Sequence, residues 1–319
     1  MSIDCVRHRT LSCKILTMKL TIILLVLSNL AFGHGGGLDS SGGHNNRKTG
    51  EYHCHREPCF SLQDRKEQEP PETVVPNASN DSTVQLTGKQ TDKCNGHLLL
   101  GVPGKSDRIL CRLGYAIGYD YSKKSAEWVA YVLSPQIHSS ANVRRQDNFR
   151  PDLELPADSR KTLRDFEEPV FDRGHLVSSA SLDASVQMNS ETFLLSNMVP
   201  QLPGLNRAGW KGLENRERKW STQRGLLVAY TGAIYQGNSL AYIGNHVPVP
   251  THFYKVLYDP RRKEAISFII PHMRVLTSEL SRYLVSIDRV EKLTGLDFLD
   301  RLEDTKEAQI ERYRPIVMW

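Results

Sequence analysis

Long apolar runs are nearly missing from this 319-residue chain. The one clear run, LTIILLVLSNLAF, lies within the first 33 residues. It has the length of a signal-peptide core and is short for a bilayer span, which takes about 20 apolar residues. Basic residues precede it and small residues follow. Met18-Lys19 directly before the run makes a compact signal peptide by itself, so Met18 is the expected start. Cleavage after Gly33 places Ala31 and Gly33 at the two small-residue positions and leaves His34 as the new N-terminus. The competing reading is an N-terminal membrane anchor, which the short run disfavours. The mature protein is expected to be secreted or periplasmic, with no stable membrane insertion.

A strong charge of either sign is also missing. Forty-one Lys and Arg stand against 36 Asp and Glu, a net charge of +5. That excludes a strongly polybasic chain; a polyanionic substrate stays compatible without being specified. Cysteine is sparse, with six in all. Cys5 and Cys13 leave with the signal peptide. The remaining Cys54, Cys59, Cys94 and Cys111 form an even set in an exported chain, which favours two disulfides. Sequence order suggests Cys54–Cys59 and Cys94–Cys111, although four cysteines allow three pairings. No internal repeat is present.

Four regions follow from composition: a signal peptide over residues 1–33, a His/Gly-rich module over 34–59, a linker over 60–90 and a main domain over 91–319. The linker holds Pro70, Pro71 and Pro76 and no apolar periodicity. The main domain predicts strands over 127–134, 225–235, 252–259 and 265–271, where β-branched and aromatic residues cluster between turn residues. It predicts a helix over 206–220 with Asn206 as N-cap, and two helical stretches within 277–302 around Ser286 and Gly295. Strands with few helices indicate an α+β or mixed architecture.

Within the predicted helix, Asn206, Trp210, Glu214 and Arg218 recur every four residues and share one stripe. The bland reading is a solvated face with a Glu214–Arg218 pair. An indole in mid-stripe argues against that reading. Asn206 is equally readable as a cap or as an oxygen ligand for a hard divalent cation. Upstream, DRGH at 172–175 reads as a charged turn carrying His175. Asp172 reads as a scaffold acid paired to Arg173 or backbone, and Gly174 as the place where backbone approaches metal or phosphate.

FDRGHL, followed by LSNMVPQLPGLNRAGWKGLENRERKW, resembles the DNA/RNA non-specific endonuclease family, which includes endonuclease G and the Serratia-type nuclease. The resemblance runs from about Arg108 to Leu302, with WVAYVLS, VPTHFYKVLYD and YLVSIDRVEKLTGLDF as further fragments. It implies a ββα-metal finger embedded in a mixed α/β domain with a central antiparallel sheet. It implies hydrolysis of phosphodiester bonds in DNA and RNA with a magnesium cofactor, manganese as a substitute, and a homodimer. His175 falls on the base that activates water, Asn206 on the direct metal ligand, and Glu214 on the acid that holds the metal's waters. Arg173 and Arg218 fall near the scissile phosphate, and Asn197 on a residue that orders the site. Arg145, in NVRRQDNFRPD, is the chosen candidate for a further phosphate contact. A histidine near its ordinary pKa serves such a reaction at neutral pH.

The module over 34–59 stands apart from this chemistry. It resembles a YHYH-like segment at the ends of bacterial secreted proteins. His34, His44, His53 and His55 are candidate ligands for zinc, and His53 and His55 would share a strand face. The alternative is a disulfide-clipped appendage. Were the chain eukaryotic, Asn77 and Asn80 would be glycosylation acceptors. For the whole protein the alternative is a catalytically inactive nucleic-acid-binding or surface-associated protein. The joint presence of His175, Asn206 and Glu214 speaks against it.

Overall fold

Leu227–Ile234 is buried at all eight positions, which a strand achieves only when both of its faces are covered. The computed structural model shows how. It describes residues 43–45, 52–54, 93–139, 143–237 and 239–319. The signal peptide, the cut after Gly33, His34, His55, the partner cysteine Cys59 and the linker all lie outside the described residues.

Near the N-terminus, β1 (Gly43–Asn45) pairs antiparallel with β2 (Tyr52–Cys54). The main sheet takes β3 (Arg108–Cys111), β4 (Ala116–Asp120) and β5 (Ser125–Leu133) in sequence. The short helices α1 (Pro135–Ser139) and α2 (Val186–Glu191) lie on either side of β6 (Asp172–His175) in the chain. Next come β7 (Met198–Gln201), a π-helical turn over Leu205–Trp210, and α3 (Lys211–Arg224). The chain continues through β8 (Leu227–Ile234), β9 (Tyr242–Ile243), β10 (Val247–Pro248), β11 (His252–Asp259), β12 (Glu264–Pro271) and β13 (Leu284–Val285). It closes with α4 (Ile287–Thr294) and α5 (Asp304–Arg312).

Seven strands form one antiparallel sheet in the order β13-β12-β11-β8-β5-β4-β3. Alternation of side chains along each strand builds two cores. Leu227, Ala229 and Ala233 of β8, with Phe253 and Leu257 of β11, join Trp210, Leu213 and Trp220 in the core under α3. Their neighbours Val228, Tyr230, Tyr254 and Val256 enter a second core with Ile287, Val290 and Phe298. The unbroken apolar strands are thus two interleaved patterns, one for each face.

The predicted strands all form, within one or two residues of their expected ends. So do a helix after Ser286, whose side chain accepts from Arg289 N at 3.3 Å, and its stop at Gly295, which sits at φ 74°. Two expectations need correction. The helix after Gly204 is longer than expected, and its first turn is π-helical. DRGH is no turn but the strand β6, paired with Met198–Gln201. Of the two stretches within 277–302, the first is a 3-10 helix over Thr277–Tyr283 and the second is α4, while α5, which begins at Asp304 and is capped by Glu303, lies beyond the expected span. The Cys94–Cys111 disulfide is present, with a Cα–Cα distance of 4.7 Å, and ties the entry of the domain to β3.

One polar group crosses the otherwise apolar core under α3. Lys255 of β11 shares a strand face with Phe253 and Leu257, and its ammonium donates to Glu217 of α3 at 2.5 Å. Both side chains are completely buried. Tyr131 Oη donates to the same carboxylate at 2.8 Å, and Ser181 Oγ to its other oxygen at 2.9 Å. Lys255→Met leaves Glu217 without its counter-charge, and the expected loss of stability is on the order of 3–5 kcal/mol. Urea denaturation measures it. Adding Glu217→Gln should restore part of the loss, and a double variant no better than the single one contradicts the pairing.

Candidate active site

Strand β6, strand β7 and the following helix are consecutive in space, and they form a ββα unit. In the register of the two strands, Asp172 faces Gln201 and His175 faces Met198. Gly174 lies flat against this pair. A Cβ there would come within 2.4 Å of Gln201 Oε1, so the glycine makes room for that side chain. Two more glycines bring the helix close to the segment after β12. A Cβ on Gly209 would meet Val275 O at 2.8 Å, and one on Gly212 would meet Thr277 Oγ1 at 2.3 Å.

The strand is clasped to the helix at both ends. Trp210 Nε1 donates to His175 O at 3.0 Å. Asp172 receives Asn206 Nδ2 at 2.9 Å, and Arg207 in a two-pronged contact at 2.9 and 2.6 Å. Asp172 is therefore a scaffold acid as expected, but Arg207 takes the place foreseen for Arg173. Burial alone would raise its pKa; the bonds from Arg207 and Asn206 outweigh that and lower it. Asn206 is not an N-cap. It lies inside the π-helical turn, and Gly204 holds the cap position. Because a carboxylate only accepts, Asp172 fixes the amide nitrogen and leaves the amide oxygen as the remaining acceptor.

His175 sits between two phenylalanines. Its ring makes edge contacts with Phe149 at 5.6 Å and Phe193 at 5.1 Å between centroids. The guanidinium of Arg173 lies over Phe149 at 4.4 Å, and that of Arg145 over Phe193 at 4.7 Å. Each arginine is thus held by the wall that holds the imidazole. His175 Nε2 is buried and has no hydrogen-bond partner. Burial, then the charges of Arg145 and Arg173, push the imidazole down to about 3. This overturns the expectation of an ordinary pKa: the ring is neutral throughout the physiological range.

The remaining candidates divide into Arg145, Glu214 and Arg218, which keep some exposed surface, and Asn197, which has none. Arg145 Nη1 donates to Ser179 Oγ at 2.7 Å and Nε to Asp147 at 2.7 Å. Arg218 reaches Ser178 and Ser181 at 3.3 and 3.4 Å. Those serines continue through Ser181 to the buried Glu217–Lys255 pair. Glu214 is half-buried one turn before Arg218; burial raises it to about 7, Lys255 opposing and Glu217 adding to the shift. Asn197 lies in the interior. It is fully buried, its amide nitrogen donates to Val177 O and Thr192 O, and its oxygen accepts from Val177 N. It is a positioning residue for the chain just after His175.

Sequence reasoning missed Phe149, Phe193, Arg207, Ser178, Ser181, Glu217 and Lys255. A buried lysine in an apolar strand, YKV within HFYKVLYD, was the one available signal. Among the described residues, no group of three His, Cys, Asp or Glu side chains fit to hold an ion occurs at this site. A hard cation here would rely on the amide oxygen of Asn206, with waters and substrate completing its oxygen shell. Of the N-terminal histidines, only His44 and His53 are described, as Cα partners across the β1–β2 pair.

The comparisons with known proteins agree with this geometry. The model of the DNA/RNA non-specific endonuclease family matches residues 95–305. A nuclease of Nostoc sp. is 34% identical over 237 residues, covering 67% of this chain and 84% of its own. Human mitochondrial endonuclease G is 32% identical over 216 residues, covering 63% of this chain and 72% of its own. A solved crystal structure of an EndoG/EndoGI complex superposes with a TM-score of 0.64 at 27% identity, covering 68% of this chain and 96% of that one. The ββα unit, its clasp and the matched span together place this chain in the DNA/RNA non-specific endonuclease family.

Proposed function

We propose that this protein is an exported, magnesium-dependent endonuclease that cleaves phosphodiester bonds in DNA and RNA, with His175 as the general base. The observation that carries the reading is the imidazole nitrogen of His175, buried without a partner between two arginines. A neutral ring with an unpaired nitrogen is ready to take a proton from water. Its low proton affinity in the free protein comes partly from Arg145 and Arg173. A phosphate seated between those guanidiniums cancels their repulsion and makes the ring a better base as the substrate arrives. Arg145, Arg173 and Arg218 bind the phosphate by charge rather than by base identity, which fits indifference to sequence and sugar.

Asn206 would hold magnesium through its amide oxygen, with Glu214 on the metal's waters. When bound, such an ion would supply Lewis-acid charge for phosphodiester cleavage. The chain's own part is to hold that amide still, which Asp172 does by occupying its nitrogen. Export is supported by the N-terminal apolar run and by the Cys94–Cys111 bridge, a bond that persists in oxidising compartments. The gathering of His175, Asn206, Arg145, Arg173 and Arg218 around one ββα unit speaks against the inactive-protein alternative.

Plasmid nicking and RNA digestion, with and without a chelator, test the activity. Both should proceed with magnesium and stop with the chelator. His175→Ala should lower the rate about a hundredfold or more while the protein stays folded. A folded His175→Ala protein with near-normal turnover removes the base from the mechanism.

Asn206→Ala should lower activity and raise the magnesium concentration needed for half-maximal rate. It also frees one bond to Asp172, so thermal stability is measured alongside. An activity loss matched by the loss of folded protein would make Asn206 a structural clasp only.

The region 34–59 is proposed to be separable from catalysis. A chain beginning at Thr91 should nick plasmid DNA at the rate of the mature protein. A folded chain of that length without nuclease activity contradicts the separation.

A further inference from the structure

A second group of acidic side chains lies on the opposite face of the sheet, where α4 and α5 pack. Glu291 comes from α4, Asp297 from the segment after it, and Glu307 and Glu311 from α5. Asp288, Glu291 and Glu311 can bring one oxygen each within 4.8 Å of one another, and so can Asp297, Glu307 and Glu311. Glu311 belongs to both sets. It is only 7% exposed, and its Oε1 is buried with no hydrogen-bond partner. Glu307 Oε1 is buried and partnerless as well. Among the described residues none of these five carboxylates forms an ion pair with a lysine or arginine; Lys306, on the same helix, pairs with Glu303 at 3.5 Å.

Such a group is costly as it stands. Burial and mutual repulsion raise Glu291 and Asp297, and push Glu307 up to about 7 and Glu311 to about 8. A proton shared between Glu291 and Glu311 relieves one contact. It leaves an acceptor oxygen on Glu311 and another on Glu307 facing no donor. A cation that takes several oxygens at once relieves them together.

We propose that Asp297, Glu307 and Glu311 form a binding site for one calcium ion that fastens helix α5 to the segment after α4, with waters completing its oxygen shell. Calcium suits it for three reasons. It accepts six to eight oxygens in loose geometry, at about 2.3–2.6 Å, so oxygens up to roughly 5 Å apart can share it. Magnesium needs a tighter octahedron and keeps its waters. Asp297 is exposed, which gives the ion a path from solvent to buried Glu311. No residue of the nuclease site takes part.

The test uses the whole mature protein, stripped with a chelator, and calcium chloride as the probe. Calorimetric titration and thermal unfolding are followed for the natural sequence, Glu311→Gln, Asp297→Asn and Asn206→Ala. The natural protein should bind calcium and unfold roughly 5 °C or more higher when the site is saturated. Glu311→Gln and Asp297→Asn should each lose most of that rise, and Asn206→Ala should keep it. Without calcium, Glu311→Gln should be no less stable than the natural protein, because a repulsion is removed. Asp297→Asn decides the matter should Glu311→Gln fail to fold. The proposal fails if calcium gives no rise, if the rise survives both acidic-site substitutions, or if Asn206→Ala alone abolishes it. No rise combined with a more stable Glu311→Gln protein would identify a cluster held by shared protons.

Discussion

Beneath the helix that carries Asn206, Glu214 and Arg218, a lysine and a glutamate meet with no exposed surface on either. Lys255 is fixed to the centre of the sheet, and Glu217 to the helix. Tyr131 adds a second strand to the contact, and Ser181 a loop. Both oxygens of Glu217 accept from these neighbours, and the ammonium also donates to Tyr131 Oη at 2.9 Å, the kind of support that makes a buried pair tolerable. The pair therefore acts as a gauge between helix and sheet. A slide or rotation of the helix would strand a charge in an apolar core. Arg218, bonded to Ser178 and Ser181, and Glu214, which feels both members of the pair, inherit their placement from it.

The imidazole is governed by a different balance. Two phenylalanines flank the half-buried ring of His175, and two arginines stacked on those rings oppose its protonation. In the free protein these effects act together and keep the ring neutral. Only the arginine contribution responds to a ligand; the aromatic wall is fixed. Under the proposed function, a phosphate between Arg145 and Arg173 would offset their charge and raise the proton affinity of the ring, whereas a neutral solute would not. Electrostatic support and positioning come from the same two side chains.

The strands were legible because their residues alternate between two apolar cores, and only the short length of each run needed arbitration. Spacing and resemblance marked His175, Asn206 and Glu214 as candidates. The partners of these residues went unmarked. Arg207 reads in sequence as one more cation on a charged helix; only the fold brings Asp172 within reach of it. Phe149 and Phe193 read as core filler, since an aromatic ring carries no mark of what will stack on its face. DRGH read as a turn because glycine beside charge usually is one. The pairing with Met198–Gln201 and the pressing of Gln201 on Gly174 are contacts between distant residues, which local propensity does not encode. The helix start failed for the same reason: Asn206 has the chemistry of a cap but spends its amide on a strand.

The π-helical turn at Leu205–Trp210 has a consequence for how this site can change. In an α-helix each residue advances about 100° around the axis, so side chains four apart stay nearly aligned. A wider turn contains one residue more than that rhythm allows, and it acts as a phase slip between Asn206 and everything after it. The slip lets Asn206 lean toward β6 while Trp210 and Leu213 stay packed in the core. Deleting a single residue within the turn would restore a smooth helix and swing the asparagine round by about a quarter turn. Point substitutions on the outer surface of this segment are thus far safer for the lineage than any change in its length.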